Sequence, residues 1–170
     1  QRTGQNMSRT PSADRPAAWI LKSEPDVFGI DHLMKAKDKC TLWDGVRNYQ
    51  ARNNLVAMQV GDKGYFYHSS CDLIGIAGEV RIAAVAVPDE SQFDSQSEYF
   101  DAKSTREKPR WFSPKVQGVR KYNGVLPREV LAKTALVKSQ LFTHSRLSVI
   151  PLTAAEERIV EKLLVTGKLR

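Results

Sequence analysis

Lys22, Ser23 and Glu24 stand together at the end of a short apolar run, Ala18 to Leu21. A hydroxyl and a carboxylate there can read the hydrogen-bonding edge of a base, because Glu accepts from exocyclic amines and Ser donates or accepts. The plainer reading is a polar strand end closed by Pro25. Trp43 lies beside Asp44-Gly45, a turn signal, where an aromatic face can be presented rather than buried. A core position is the competing expectation, since Trp is highly buried on average. Tyr67, His68 and Ser69 occupy consecutive strand positions, so Tyr67 and Ser69 share one face and His68 points to the other. That alternation disfavours a His68–Ser69 nucleophilic dyad, which needs direct hydrogen-bond reach.

Two groups of residues suit phosphate. Arg47 and Asn48 sit at the start of a helical pattern, where backbone N–H groups favour anions. Arg52, one turn on, is expected to reach phosphate or, more simply, to pair with an acid such as Asp44. The densest basic stretch runs from Lys103 to Lys121. It contains Lys103, Arg106, Lys108, Arg110, Lys115, Arg120 and Lys121, with Trp111 and Phe112 among them and Glu107 as its one acid. Cations interleaved with aromatics suit single-stranded or distorted nucleic acid, through phosphate contact and stacking together. A solvated charged face is the bland alternative.

The elements that must hold these residues are legible in outline. Ala18 to Leu21 reads as a buried strand. A helix is expected over Ile30 to Lys37 with Asp31 as its cap, and another from Tyr49 to about Met58, capped by Asn48 and stopped by Gly61. Thr41 to Trp43 reads as a brief extended piece. Lys63 to His68 and Ile74 to Val87 read as strands, and Gly75 and Gly78 predict a bulge or bend in the second. Asp89 to Pro109 is polar and reads as a long excursion, of a length that is usually functional or mobile. A strand is expected within Trp111 to Tyr122, helical material from Pro127 to about Leu141, and a strand over Leu147 to Leu152. Thr153 to Glu156 is a capping box opening a last helix that ends near Gly167. Strands and helices mix without regular alternation, which predicts an α+β fold, a curled sheet or barrel flanked by short helices.

The chain of 170 residues fits one domain, preceded by a polar, disordered basic tail over residues 1–17 in which Met7 is a candidate native start. A formal net charge of +7 favours a polyanionic partner, nucleic acid first. No apolar run approaches the roughly 20 residues of a membrane span, so no membrane partner is expected. No signal-peptide pattern opens the chain, and an intracellular monomer is the expectation, nuclear in a eukaryote and cytoplasmic in a bacterium. Cys40 and Cys71 make no C-x-x-C motif, and His32, His68 and His144 have no metal spacing. Neither a metal nor a cofactor is expected, and no residue is assigned a catalytic role.

Several segments together resemble the EVE domain family of the PUA-like superfamily. They are Trp19 to Pro25, Trp43 to Asn53, Phe66 to Ser69, Gly75 to Gly78, Tyr99 to Asp101, Pro109 to Trp111 and Arg146 to Val149, in the family's order. The eleven-residue run from Trp43 is highly specific. One departure is Ser113 to Lys115, where relatives tend to carry an acidic, valine-rich strand. The resemblance implies a PUA-like mixed β-pseudobarrel, the fold of YTH and SRA readers of methylated bases. It implies non-enzymatic binding of DNA or RNA through a pocket for one flipped, modified base, with Trp43 stacking on it. Lys22, Ser23, Glu24, Asp44, Tyr67, His68, Ser69 and Ser148 are then candidates to line that pocket. Arg47, Asn48, Arg52 and the Lys103–Lys121 segment are candidates to hold the backbone. Rival expectations are an enzyme on modified nucleic acid, glycosylase-like or nuclease-like, and a protein–protein adaptor.

Overall fold

The computed structural model describes residues 15–170. Most of the expected tail, residues 1–14, lies outside the described residues. The end of that tail is tied to the domain. Arg15 pairs with Asp62 at 3.0 Å, and Ala17 N donates to Leu152 O at 2.8 Å.

Six strands form one mixed sheet: β1 (Ala18–Ser23), β2 (Cys40–Leu42), β3 (Lys63–His68), β4 (Gly75–Ala84), β5 (Lys115–Pro127) and β6 (Val149–Leu152). Their order across the sheet is β2-β5-β4-β3-β1-β6. β1 pairs with β3 in parallel and with β6 antiparallel. Its first four residues are all buried, as a strand covered on both faces requires. The fold is α+β, with short helices α1 (Pro25–Phe28), α2 (Ile30–Lys35), α3 (Tyr49–Ala57), α4 (Arg128–Ala132), α5 (Gln140–Thr143) and α6 (Ala154–Thr166) around the sheet. Trp19, Ile20, Leu21, Tyr65, Phe66, Ile76 and Leu126 are among its most deeply buried side chains.

The expected bend in β4 is present: its register against β5 shifts between Ile76 and Gly78. Gly78 has a second role. A Cβ there would lie 2.5 Å from Ile30 Cδ1, so a bare backbone is what lets α2 settle on the sheet. α3 follows its expected course. Asn48 Oδ1 accepts from Ala51 N at 2.9 Å, and Ala51, Leu55 and Met58 form the buried stripe. Thr153 and Glu156 close the capping box of α6, and Lys63 and Tyr65 both meet Glu161, binding that helix to β3.

Several boundaries differ from expectation for local reasons. α2 is capped at Gly29, not Asp31, and Gly29 N donates to His32 Nδ1 at 2.8 Å. It stops at Lys35 because Ala36 is extended. α3 likewise ends because Met58 is extended, so Gly61 is not its stop. The stretch after Pro127 is broken into α4, a 3₁₀ turn (Ala135–Lys138) and α5, because Thr134 and Ser139 cap new turns from extended backbone. β5 runs to Pro127 and excludes Trp111. The excursion from Asp89 is pinned rather than loose. The buried Gln92 carboxamide donates to Asp89 O at 2.7 Å and Trp111 O at 2.9 Å, and accepts from Arg110 N and Trp111 N, both at 3.1 Å. One side chain thereby staples the two ends of the excursion together.

Candidate functional site

A cleft of about 590 Å³ opens where the end of β1, α1, the link from β2 to α3, and Tyr99 of the excursion converge. Its volume is within the usual range of small-ligand sites, about 300–1,000 Å³. The back wall is aromatic. Trp43 meets Phe66 edge-on, centroids 5.5 Å apart at 83°, and Phe28 lies 6.4 Å from the same ring. Trp43 is only 8% exposed, so it is a wall of the cleft and not the projecting face expected from its turn. Its backbone N donates to Pro114 O at 2.9 Å. The segment that departs from the family pattern therefore stands directly behind the tryptophan. Among the described residues, the indole Nε1 of Trp43 has no hydrogen-bond partner.

Lys22, Ser23, Asp44 and Ser148 also line the cleft. Lys22 Nζ donates to Ser145 O at 3.3 Å and lies 5.7 Å from the Tyr67 ring centroid. Burial, then the Arg128 charge, hold its pKa below the ordinary lysine value. Ser23 Oγ donates to Phe28 O at 2.6 Å, which leaves its oxygen free to accept. The Asp44 carboxyl is raised above its usual range by burial and then by the neighbouring Asp89 charge.

Four of the anticipated pocket residues stand elsewhere. Glu24 is exposed and caps α1 with its carbonyl, because Pro25 starts that helix immediately. Tyr67 is buried on the other side of β3, and burial pushes its phenol up to about 12. Ser69 N donates to Ser23 O at 3.0 Å, extending the β1–β3 pairing. His68 Nε2 accepts from Ile30 N at 3.1 Å, which requires a neutral ring with its proton on Nδ1. It is a support for α2.

The expected phosphate contacts are redistributed as well. Arg47 directs all five of its N–H groups inward: Nε and Nη2 to Tyr99 O (3.1 and 2.8 Å), Nη1 to Val46 O (3.0 Å) and Asp89 (3.1 Å), Nη2 to Ser91 Oγ (3.1 Å). No donor is left for phosphate. Asn48 Oδ1 caps α3, while its Nδ2 makes no hydrogen bond among the described residues. Arg52 does not pair with Asp44. It donates to Arg110 O at 3.2 Å and to Asn53 Oδ1, with its guanidinium 4.9 Å from the Tyr49 ring. Trp111 is 5% exposed, packed against Tyr49 and the guanidinium groups of Arg47 and Arg52, so it offers no stacking face. Arg110 pairs with Asp101 at 3.0 Å, and Arg106 with Glu90 at 3.1 Å. Lys103, Lys108 and Lys115 are exposed and make no ion pair among the described residues.

Residues the sequence reading did not assign complete the cleft: Val27, Phe28, Leu42, Val46 and Tyr99. Tyr99 opens the family-like segment Tyr99 to Asp101. Its ring is where a Cβ on Gly45 would fall, 3.0 Å away, and Gly45 holds φ +74°. A larger cavity of about 910 Å³ lies elsewhere, lined by Arg15, Asp62, Lys63, Gln140, Thr153 and neighbours. It has no aromatic wall, so a planar ligand would find no stacking platform. Among the described residues, no group of three or more His, Cys, Asp or Glu side chains is placed to hold a metal ion.

Comparison with known proteins converges on one family. The model described as "EVE domain" matches residues 17–163. Thymocyte nuclear protein 1 of Gallus gallus is 41% identical over 156 residues, 81% of this chain and 64% of the relative. The chain thus spans under two thirds of that protein. A hypothetical protein from Leishmania major superposes with TM-score 0.83 at 43% identity, covering 91% of this chain and 98% of that one. Human THYN1 protein, solved in complex with 5-methylcytosine containing DNA, superposes with TM-score 0.82 at 37% identity, covering 90% and 99%.

Proposed function

The chain belongs to the EVE domain family, and from that premise we propose that it binds nucleic acid without chemical turnover, holding one flipped, modified base in the cleft against Trp43. The observation that carries this reading is the cleft itself: an indole wall with hydrogen-bonding groups along its edges. The human relative bound to 5-methylcytosine DNA supports methylated cytosine as the first ligand to try.

Each wall has a task in this reading. Extruding a base costs a few kcal/mol, and stacking on an aromatic ring returns about 1–3 kcal/mol. The Asp44 carboxylate suits the exocyclic amine of cytosine or adenine, since an acid accepts from that group. Ser23 and Ser148 add acceptors. Val27 and Leu42, 75% and 48% exposed, offer an apolar rim to a methyl group. Burying one methyl is worth about 0.8 kcal/mol, a preference of roughly fourfold. Asp44 is the one carboxylate among the lining residues, with no histidine or thiol beside it.

The test is a titration of wild type and Trp43→Ala with matched oligonucleotides, methylated and unmethylated, with substrate integrity followed in the presence and absence of magnesium. The expected result is tighter binding of the methylated strand by wild type, loss of that preference in the variant, and intact oligonucleotide throughout. Equal affinities for wild type and variant, or turnover, would overturn the reading.

A further inference from the structure

The cleft is not isolated. A hollow of about 300 Å³ adjoins it on one side, lined by Lys37, Asp38, Cys40 and Lys115, and shares Thr41 and Leu42 with it. Another of about 300 Å³ adjoins it on the other side, lined by Gln50, His144 and Arg146, and shares Asn48. Lys22 bridges the second junction through its bond to Ser145 O. Three hollows therefore form one track with cations at both ends.

We propose that this track is the path of the nucleic-acid strand on either side of the flipped nucleotide, which rests on the reading of the cleft given above. The strand enters past Lys37 and Lys115, delivers its base beside Trp43, and leaves past Gln50 and Arg146. Charge pairing narrows the Lys103–Lys121 segment, to which Lys115 itself belongs, to Lys103, Lys108 and Lys115, of which Lys115 alone lines a hollow adjoining the cleft. In that segment Arg106, Arg110, Arg120 and Lys121 already face Glu90, Asp101, Glu79 and Asp31. Lys37, Lys115 and Arg146 make no ion pair among the described residues, so neutralising phosphate breaks nothing. Asp38 offsets one of the two lysines at the entry, and the exit carries Arg146 with a neutral amide and His144. His144 uses Nδ1 toward Thr143 Oγ1 at 2.8 Å, which leaves Nε2 for a ligand.

Leu42 marks the junction of the entry hollow and the cleft. It lines both and is half exposed. An apolar side chain at that position can replace the stacking neighbour that a flipped base abandons. Tracks that pair cations with such an unstacking point suit a single strand or an opened duplex more than an intact one.

The test uses a single-stranded oligonucleotide with one 5-methylcytosine and measures affinity across a salt series. Lys37→Ala/Lys115→Ala and Arg146→Ala are compared with Lys103→Ala/Lys108→Ala and with a charge control, Lys133→Ala/Lys162→Ala. Each phosphate contact removed should flatten the log–log salt slope by about 0.7. The expected result is a flatter slope and weaker binding in both track variants, beyond the charge control, with methyl preference retained. Track variants indistinguishable from the charge control would overturn the path, whatever the Lys103→Ala/Lys108→Ala variant does. Failure of the base reading looks different: Trp43→Ala would then bind as wild type while the track variants still flatten the slope. Absence of any binding by wild type would remove both.

Discussion

Arg47 Nη1 lies 3.1 Å from Asp89 Oδ2, and the same carboxylate oxygen accepts the Gly45 N–H at 2.8 Å. Asp89 is 1% exposed. Burial alone would raise its pKa, but hydrogen bonds from Ser91 and Gly45 and the Arg47 guanidinium outweigh it and hold the carboxyl below its usual range. This pair fastens the link that carries Trp43 to the stapled base of the excursion that carries Tyr99. Two walls of the cleft are thus set by one ion pair.

Removing the acid leaves a committed guanidinium without its counter-charge. Asp89→Ala should destabilise the fold by roughly 3 kcal/mol, the cost of orphaning one member of a buried pair. For a domain of this size that lowers Tm by roughly 6–12 °C. Arg47→Lys should fail to rescue packing, because an ammonium cannot make five directed bonds. Thermal unfolding of the two variants checks both statements.

Gly45→Ala combines a left-handed φ with a Cβ against the Tyr99 ring. The backbone penalty is about 1–2 kcal/mol. Displacing Tyr99 should also weaken oligonucleotide binding more than a matched surface substitution of equal thermal cost. Calorimetric melting alongside a binding titration separates the two effects.

His68 supplies the pH dependence. Its folded pKa is lowered, mainly by burial, with Lys121 acting the same way and Asp31 opposing. The unfolded chain therefore takes up the proton first as pH falls. The contribution of His68 is complete above the ordinary value of about 6.5 and is lost as pH drops through the lower folded value. Tm of wild type should fall between about pH 7 and pH 5. His68→Gln, which keeps an acceptor for Ile30 N, should flatten that fall.

Asp44 is the opposite case. Its raised folded pKa means the folded state holds the proton more tightly than the unfolded chain does. Ionised Asp44 therefore opposes folding at neutral pH, and the opposition vanishes below the ordinary carboxylate value, about 3.9. Asp44→Asn should melt higher than wild type at neutral pH and equal to it in acid. The same variant should lose preference for bases bearing an exocyclic amine, because a carboxamide donates as well as accepts. Higher stability with lower selectivity is the outcome to look for.

The elements were legible wherever the signal was local. Asn48, Ala51, Leu55 and Met58 announce α3 by cap and spacing, and Thr153 and Glu156 announce α6. The cleft was less so. Trp43 and Asp44 stand out by type, but Phe28 and Tyr99 reach it through the turn after Pro25 and through an excursion whose anchor, Gln92, resembles any polar loop residue. The basic segment was legible only as a count of cations, for the same reason. Arg106 meets Glu90, and Lys121 meets Asp31, across chain separations that no spacing rule covers. Charge read along the chain counts cations; only the fold says which are already neutralised.

The position of β1 has a consequence for how the molecule is made. Its inner neighbour β3 follows soon in the chain, whereas its outer neighbour β6 lies at Val149–Leu152. During synthesis, vectorial from the N-terminus, β1 can dock on β3 early but keeps a bare edge until nearly the whole domain has left the ribosome. A bare, apolar strand edge is a template for pairing with another chain. Late closure by β6 therefore sets a window in which nascent copies are vulnerable to each other, and stalled chains ending before Val149 should be the ones that aggregate.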